Sequence, residues 1–475
     1  MYPALSLFID GQFLGTEGRA SEPVFDPATG EVLAELPHAS AADLDAAIDA
    51  ATRAFPGWRA TSAYERYRTL RRAADLLRDR KDHIATVMTK EQGKVFGEAA
   101  LEVASSADIL DWYAEEGRRA YGRVIPGRTA GTRQMVLVEP VGPCAAFTPW
   151  NFPALTPIRK IGGALGAGCT LILKASEETP GTALEVVRAL HDAGVPAGVI
   201  NLVFGVPAEV SEHLIAAKAI RKITFTGSTA VGKHLMKLAA DTAKRTTMEL
   251  GGNAPAIIFP DADLDKAVNT LGFFKYRNAG QVCVSPQRFF VHESVYDRFL
   301  EGFTAKANGV KVGNGLTEGT TMGPLANPRR VEAMERVVAD AAARGAKIAA
   351  GGERIGNQGN FFQPTVLTDV PDDTLSLCEE IFGPVVPVVP FGSTEEVLKR
   401  ANSVDMGLAA YAFTRSIDTA QHVSEALESG MVGINTLAIS TPETPFGGIK
   451  ESGHGSEGGI EGLQAYLNVK FVAQA

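Results

Sequence analysis

The stretch "TLILKASEETPGTALEVVRALHDAGVPAGVINLVFG" (170–205) carries the pattern that decides the fold. A short apolar run, "TLILKA" (170–175), precedes helical periodicity in "GTALEVVRALHDAG" (181–194), and a second apolar run, "VINLVFG" (199–205), follows it. Strand–helix–strand units of this length are typical of a parallel, doubly wound sheet. The stretch therefore predicts one such unit.

The alternation of strands and helices continues along the chain. A helix in "PAEVSEHLIAA" (207–217) leads to a strand in "KITFTG" (222–227). A second series begins at "APAIIF" (254–259), passes through a helix around 329–344 and ends at "GMVGIN" (430–435). Two such series in one chain of this length predict an α/β protein with two domains.

Other segments flank the two series. Helical periodicity covers 41–55, with Ser40 as the expected N-cap, and 63–88. Residues 122–142 have the pattern strand, turn, strand, and the C-terminal run 466–473 is also strand-like. Because this arm and tail have no core of their own, we expect them to pair and to pack on another subunit, the tail adding to a neighbour's arm.

Composition and charge restrict the classes of partner. The chain has 475 residues, 45% hydrophobic and 21% charged, and its net charge of -9 includes no basic stripe, which argues against nucleic acid. The N-terminal stretch "MYPALSLFIDGQFLG" lacks the features of a secretion signal, and the longest apolar run (161–173) is too short to span a bilayer. The four cysteines form no CxxC pair, which is typical of reduced thiols. We expect a cytoplasmic protein with no nucleic acid or membrane partner.

Two glycine-rich loops partly match phosphate-binding motifs. In "KITFTGSTAVGKHL" (222–235), His234 stands where a P-loop needs Ser or Thr to hold magnesium, which disfavours an NTPase. By spacing alone the turn either aims helix-start N–H groups at an anion or simply joins a strand to a helix. "GHGSEG" (453–458) matches GxGxxG formally, but no βαβ unit fits after it, and we interpret it as a flexible loop. HExxH, zinc-type and GxSxG motifs are absent from the sequence, and we expect no bound metal.

Cys283 lies in "RNAGQVCVSP" (277–286), which has no metal-ligand pattern nearby. It is accompanied, in a fixed order along the chain, by "FTPWNFP" (147–153), "LILKASEETP" (171–180), "FTGSTAVG" (225–232) with "MELGGNAP" (248–255), and "EEIFGPV" (379–385). Together these motifs resemble the NAD(P)-dependent aldehyde dehydrogenase superfamily over essentially the whole chain. The resemblance implies a Rossmann-type cofactor domain, an α/β catalytic domain and a small β oligomerisation arm.

The resemblance assigns the catalytic roles. An aldehyde becomes a good hydride donor when a thiolate adds to its carbon, and hydride transfer then leaves a thioester. Cys283 is implied as that nucleophile, and the Asn151 amide, with the Cys283 backbone N–H, as the donors to the oxyanion. Glu249 is implied as the base that activates water, and its presence favours a free acid over an acyl-coenzyme A product.

The resemblance also implies the cofactor site. Lys174 and Glu177 match positions that hold the adenosine ribose, and a carboxylate at Glu177 would repel a ribose phosphate, which favours NAD while leaving NADP possible. Ser228 is expected to face the pyrophosphate, Trp150 to line the cofactor site, and Glu380 and Phe382 to contact the nicotinamide ribose. The full implied set is Trp150, Lys174, Glu177, Gly205, Gly227, Ser228, Val231, Glu380 and Phe382.

Two arginines indicate the substrate. Arg159 and Arg277 match positions that bind the distal carboxylate in the succinic semialdehyde branch, and Ser440 and Thr441 lie in a loop that approaches the same group. The alternative for the arginines is a structural salt bridge. Short local sequence segments also resemble those of α-ketoglutaric semialdehyde dehydrogenases, so either semialdehyde is an expected substrate. Ser285 stands where many relatives have a second cysteine, and we expect no disulfide switch.

The resulting hypothesis is a homodimeric or homotetrameric dehydrogenase. We expect an NAD(P)-binding domain in 1–121 and 143–251, a catalytic domain in 252–449, and an oligomerisation arm and tail in 122–142 and 450–475. The alternatives are a dehydrogenase for another small aldehyde, a coenzyme A-acylating enzyme, a P-loop NTPase and a catalytically silent structural relative.

Overall fold

The computed structural model describes residues 2–475. The strands are β1 Leu7–Ile9, β2 Gln12–Leu14, β3 Ser21–Phe25, β4 Val32–Pro37, β5 Arg123–Pro126, β6 Arg133–Pro140, β7 Cys144–Phe147, β8 Leu171–Lys174, β9 Ile200–Val203, β10 Lys222–Thr226, β11 Arg245–Glu249, β12 Ala254–Ile258, β13 Pro286–His292, β14 Lys347–Ala350, β15 Thr365–Thr368, β16 Val385–Phe391, β17 Met406–Gly407, β18 Ala409–Phe413, β19 Met431–Ile434, β20 Ile449–Lys450, β21 Gly453–His454 and β22 Leu467–Gln474. The α-helices are α1 Ala41–Ala60, α2 Ala63–Asp79, α3 Lys81–Gln92, α4 Phe96–Gly117, α5 Leu155–Ala167, α6 Pro180–Asp192, α7 Pro207–Ala216, α8 Thr229–Ala240, α9 Leu264–Tyr276, α10 Tyr296–Asn308, α11 Pro328–Ala343, α12 Leu375–Cys378, α13 Thr394–Ala401, α14 Ile417–Ala426 and α15 Gly459–Gln464.

The first large sheet has the order β2-β1-β9-β8-β7-β10-β11-β21. Its five central strands, in the spatial order β9-β8-β7-β10-β11, are parallel. From β7 the chain adds β8 and β9 on one side, and it then returns to add β10 and β11 on the other side of β7. Ligands of open α/β sheets bind outside the carboxyl ends of the strands at such a switch point. This sheet confirms the Rossmann-type prediction and directs attention to the loops after β7 and β10.

The second large sheet has the order β14-β15-β16-β13-β12-β18-β19. All neighbouring pairs in it are parallel apart from the edge pair β14–β15. It contains the predicted strand at 254–259 as β12 and the one at 430–435 as β19. The fold class, a mixed α/β protein with two such sheets and a separate small sheet, is confirmed.

The arm and the tail form the small sheet β22-β6-β5. Strand β22 pairs with β6 over its whole length, from Leu467 opposite Pro140 to Gln474 opposite Arg133. The pairing of arm and tail was predicted, but it occurs within one chain. The expectation that the tail adds to a neighbour's arm is therefore wrong for this structure, because its own β6 already satisfies the inner edge of β22.

Two local predictions need correction. The helix predicted over 63–88 is broken at Arg80 into α2 and α3, because that residue leaves the helical region at φ −96° and ψ 9°. The loop predicted at 453–458 is not free, since Gly453 and His454 form β21 on the edge of the first sheet opposite Glu249 and Met248. Ser40 caps α1 as predicted, in a reciprocal capping box with Asp43.

Two large apolar cores fill most of the molecule. One lies around the first sheet and is formed by residues 5–250 together with Leu463, Tyr466 and Leu467, and the other is formed by residues 254–437 around the second sheet. Within residues 2–475, no helix is both long and apolar enough to cross a membrane. The same part of the chain contains no cluster of three or more His, Cys, Asp or Glu side chains with the geometry of a metal site.

Candidate active site

A cavity of about 1400 Å³ opens at the carboxyl ends of the first sheet and is bordered by residues from both cores. It brings together twelve of the sixteen residues predicted for the site: Cys283, Glu249, Asn151, Trp150, Gly227, Ser228, Glu380, Phe382, Arg159, Arg277, Ser440 and Thr441. The remaining four, Lys174, Glu177, Gly205 and Val231, do not border it. The predicted catalytic and substrate residues therefore share one chamber.

Cys283 lies just before β13, partly exposed to the cavity. Burial, and then the negative charges of Glu380 and Glu249, raise the pKa of its thiol to about 12, while Arg159 acts in the opposite direction. The thiol is thus neutral at rest, and it needs a proton acceptor or an added positive charge before it can act as a nucleophile.

Asn151 follows β7 and points its amide at the cysteine loop. Its Nδ2 donates to the Gln281 carbonyl oxygen at 3.1 Å, and the side chain is buried. Cys283 is two residues beyond that carbonyl. The amide therefore contacts the backbone of the loop that carries the nucleophile, at the end of the sheet where an oxyanion donor would be needed.

Glu249 ends β11 with its carboxylate buried and without a hydrogen-bond partner for either oxygen among residues 2–475. Burial and the nearby Glu457 carboxylate hold the pKa of Glu249 well above its ordinary value, while Lys160 and Arg159 lower it. A buried, unpartnered carboxyl with a raised pKa has the properties of a general base that works near neutral pH.

Lys160 and Glu457 belong to this site and were not found from the sequence. Lys160 Nζ donates to Glu457 Oε1 at 2.5 Å, to Thr226 Oγ1 at 2.8 Å and to Thr224 Oγ1 at 3.2 Å, and it is fully buried. The two partners of the ion pair are separated by 297 positions in the chain. Only the position of Lys160 next to Arg159 in "TPIRK" gave any signal in the sequence.

The residues expected to hold the adenosine ribose form a separate group at the ends of β8 and β9. Lys174 Nζ and Glu177 Oε1 are 2.5 Å apart, and the Gly205 N–H donates to the same carboxylate oxygen at 3.4 Å. The carboxylate is thus available to ribose hydroxyls and partly neutralised by the lysine. Val231 stands apart from this group, half-exposed on the first turns of α8.

The turn into α8 fits an anion. Ser228 is its N-cap residue, but no side chain in residues 2–475 caps the first turn, so its N–H groups are open. A Cβ on Gly232 would come within 2.3 Å of Leu250, and Lys233 forms an ion pair with Glu451. In this loop, which only partly matches a P-loop, Gly232 therefore allows close packing against Leu250, and Lys233 forms a surface ion pair.

Glu380 and Phe382 meet Trp150 across the cavity. The rings of Trp150 and Phe382 lie edge to face at 5.5 Å, and Glu380 Oε1 accepts from the Gly252 N–H at 3.1 Å. Burial raises the pKa of the Glu380 carboxyl to about 7. Phe382 has a left-handed φ of 50°, and Arg330 fixes this strained turn by donating to the Phe382 carbonyl oxygen at 2.9 Å.

The two arginines predicted for the substrate are both in the cavity wall. Arg159 packs 4.2 Å from the Phe446 ring and donates from Nη2 to Ser440 Oγ at 2.7 Å, while its Nε and Nη1 are buried without a partner among residues 2–475. Arg277 lies over the rings of Phe152 and Phe274, and its Nε is likewise unpartnered. Neither arginine forms a salt bridge within residues 2–475, which disfavours the structural alternative.

Ser440 and Thr441 differ in what they touch. Ser440 bonds Arg159 as described, which ties the loop after β19 to α5. Thr441 is exposed and its hydroxyl contacts Thr444 within its own loop, so its link to the carboxylate region is its place in the cavity wall.

A thiol, a carboxyl and an amide around a chamber at the switch point of a Rossmann-type sheet define the class: a dinucleotide-dependent oxidoreductase with a cysteine nucleophile. The model of the aldehyde dehydrogenase family matches residues 13–472. Glutarate-semialdehyde dehydrogenase of Pseudomonas putida is 46% identical over 98% of this chain and 96% of its own. The NADP(+) succinate-semialdehyde dehydrogenase GabD of Escherichia coli is 45% identical over 98% and 96%. The crystal structure of succinate-semialdehyde dehydrogenase from Burkholderia pseudomallei is 46% identical, with a TM-score of 0.97 over 99% of this chain and 98% of that one. The chain belongs to the aldehyde dehydrogenase family.

Proposed function

We propose that this enzyme oxidises a small aldehyde with a distal carboxylate, succinic or α-ketoglutaric semialdehyde, to the dicarboxylic acid. The observation that carries the proposal is the buried Arg159 guanidinium, in which two nitrogen atoms, Nε and Nη1, have no protein partner within residues 2–475. Leaving such a cation unpaired is unfavourable, so a carboxylate that reaches it is strongly preferred over an uncharged group. Arg277, in the same wall, supplies a second positive charge.

The first half of the proposed reaction is carried by Cys283 and Asn151. The thiol releases its proton to solvent, Sγ adds to the aldehyde carbon, and the new oxyanion receives hydrogen bonds from the Asn151 amide and the Cys283 N–H. To do so, the Asn151 amide exchanges its present acceptor, the Gln281 carbonyl, for the oxyanion. Bound NAD(P) supplies the hydride acceptor, and loss of the hydride leaves a thioester on Cys283.

The second half is hydrolysis, in which Glu249 acts as the base. Its free carboxylate oxygens remove a proton from water, which attacks the thioester and releases the acid and the Cys283 thiolate. The Lys160–Glu457 pair, buried beside it, sets the local charge around Glu249. A water-activating base at this position supports a free acid over an acyl-coenzyme A product.

For the cofactor we propose NAD over NADP. Glu177 offers its carboxylate to ribose hydroxyls and would repel a 2′-phosphate, although the E. coli relative is named as an NADP(+) enzyme. Lys174, 2.5 Å from that carboxylate, reduces the repulsion. NADP is therefore expected to be a poorer cofactor, not an excluded one.

For the assembly we propose a homodimer or homotetramer that uses the β5–β6–β22 arm. Its face exposes apolar side chains, among them Val124, Val469 and Phe471. The two apolar cores support a division into an NAD(P)-binding domain (1–121 and 143–251) and a catalytic domain (252–449), with 122–142 and 450–475 as arm and tail. Residues 450–465 also support the cofactor domain, because β21 and Glu457 pack there.

The test is NADH formation with succinic semialdehyde, α-ketoglutaric semialdehyde and pentanal, on the wild type and on Arg159→Met and Arg277→Met. We expect kcat/KM for the charged substrates to exceed that for pentanal by roughly 10²-fold or more, and each substitution to remove most of that margin. Equal kcat/KM for pentanal, unaffected by either substitution, would refute the substrate assignment and leave the family assignment intact.

A further inference from the structure

The backbone of Asn151 is held by two buried side chains from distant parts of the chain. Its carbonyl oxygen accepts from Lys94 Nζ at 2.8 Å and from Asn278 Nδ2 at 2.9 Å. Lys94 is 2% exposed and Asn278 is 3% exposed, so water does not compete for either contact. The peptide that carries the oxyanion donor is therefore fixed by two independent donors.

Lys94 is fixed in turn by Glu102. The two form an ion pair in which both side chains are almost fully buried. Glu102 Oε1 also accepts from the N–H groups of Ala154 at 2.9 Å and Leu155 at 3.2 Å, where α5 begins. The pair thus contacts the turn that carries Asn151 at two places. Lys94 binds the Asn151 carbonyl oxygen, and Glu102 binds the N–H groups at the end of the turn, where α5 begins.

The cysteine loop is fixed from the same helix. Asn278, Ala279 and Gly280 have φ values of 50°, 52° and 74°, a run of left-handed backbone that needs external support. Glu98, one turn before Glu102 on α4, provides it by accepting from the Asn278 N–H at 2.8 Å. Asn278 Nδ2 also reaches the Gln281 carbonyl at 3.2 Å, the group that the Asn151 amide contacts.

We propose that Lys94, Glu98, Glu102 and Asn278 are positioning residues that set the Asn151 amide relative to Cys283 Sγ. One face at the start of α4 holds the oxyanion loop through Glu102 and the cysteine loop through Glu98, and Asn278 joins the two loops directly. Buried ion pairs are weak contributors to stability, whereas an oxyanion donor must be placed within a fraction of an ångström. Geometry therefore explains better than stability why the Lys94–Glu102 pair is buried here.

The proposal rests on the proposed role of Asn151, and a double-mutant cycle separates the two. Lys94→Met and Asn278→Gly are each made in the wild type and in an Asn151→Ala background, and glycine keeps the left-handed φ accessible at 278. Intact active sites are counted by stoichiometric alkylation of Cys283. The rate of the first NADH formed per intact site is then measured with saturating NAD and succinic semialdehyde.

We expect each substitution to lower that rate by roughly 10²-fold in the wild type and by less than about threefold in the Asn151→Ala background. The same factor in both backgrounds would overturn the proposal, as would an unchanged rate in the wild type. If Asn151→Ala alone leaves the rate unchanged, the oxyanion role itself fails. Where Lys94→Met yields no folded protein, Asn278→Gly carries the test.

Lys222→Met is the matched control. Lys222 is also a fully buried lysine, and it donates to Thr247 Oγ1 at 2.6 Å, away from both loops. We expect this change to lower stability without changing the NADH rate per intact site. A rate loss equal to that of Lys94→Met would show that any buried lysine has this effect, and would overturn the positioning role.

Discussion

Arg159 Nη2 donates to Ser440 Oγ at 2.7 Å, and this contact orients a guanidinium whose other two nitrogens, Nε and Nη1, are buried without partners among residues 2–475. The hydrogen bond joins α5, which begins four residues after Asn151, to the loop that follows β19. An anion that enters the cavity beside Arg159 would be attracted by this incompletely paired positive charge. This relationship makes the substrate assignment testable without turnover.

The first prediction concerns ligand binding. Glutarate carries the same terminal carboxylate as the proposed substrates, and we expect it to raise the melting temperature of the wild type because it binds only the folded state. Arg159→Met should remove this shift, while Arg188→Met, which changes an arginine outside the cavity wall, should retain it. Pentane-1,5-diol serves as the uncharged ligand. A shift that survives Arg159→Met would contradict carboxylate binding at this residue.

The second prediction concerns the pH dependence of hydrolysis. Glu249 must be ionised to act as base, and burial raises its pKa well above the ordinary value, so activity should fall as pH drops through that raised pKa. Lys160→Met removes a positive charge and should move this acid limb to higher pH. Glu457→Gln removes a like charge and should move it to lower pH. Profiles of kcat that shift in the same direction for both variants would rule out the assignment of this limb to Glu249.

The third prediction concerns cofactor choice. Removing the Glu177 carboxylate takes away one negative charge at the adenosine ribose, so Glu177→Ser should raise kcat/KM for NADP relative to NAD by roughly tenfold or more. The measurement is the ratio of the two kcat/KM values at fixed ionic strength. Glu209→Ser, an exposed carboxylate on α7, is the control. An unchanged ratio in Glu177→Ser would mean that the adenosine ribose binds elsewhere.

The fourth prediction concerns stability. Lys275 is fully buried, its Nζ has no partner in the described chain, and burial lowers its pKa to about 7. Because the folded pKa lies below the unfolded value, this lysine destabilises the fold increasingly as pH falls from about 10 to about 7, after which the effect is constant. Lys275→Met should therefore be more stable than the wild type at pH 7. The difference in the free energy of unfolding between the two proteins should be larger at pH 7 than at pH 10 by up to roughly 4 kcal/mol.

Denaturant unfolding of both proteins at the two pH values provides the check. Lys266→Met changes an exposed lysine on the same helix and should show no such difference. Equal stability differences at pH 7 and pH 10 for Lys275→Met would mean that the amine is not held neutral in the folded protein.

Much of this architecture could be predicted because it is local in the sequence. Apolar runs of six or seven residues between helices predicted β8, β9 and β10 to within two residues. The N-cap of α1 at Ser40 was also predicted from the sequence. Short motifs gave the candidate catalytic residues, since each lies close to the end of a strand.

The undetected parts depend on long-range contacts. The Lys160–Glu457 pair joins α5 to a loop that the sequence indicated only as flexible. No sequence pattern around either residue indicates that the other is its ion-pair partner. Glu102 lies on α4, outside the predicted helical segments, and its contact with the turn after Asn151 depends on the tertiary fold. The N-terminal strands β1 and β2 escaped notice because three residues of alternation are too few to distinguish from a loop.

The most direct test of the account is the mass of Glu249→Gln after mixing with NAD and succinic semialdehyde. We expect about one NADH per subunit and an added acyl group on the peptide that contains Cys283, because the thioester forms but is not hydrolysed. Cys283→Ser should give neither product. Sustained turnover of Glu249→Gln at the wild-type rate, or an acyl group on Cys144, Cys169 or Cys378, would contradict it.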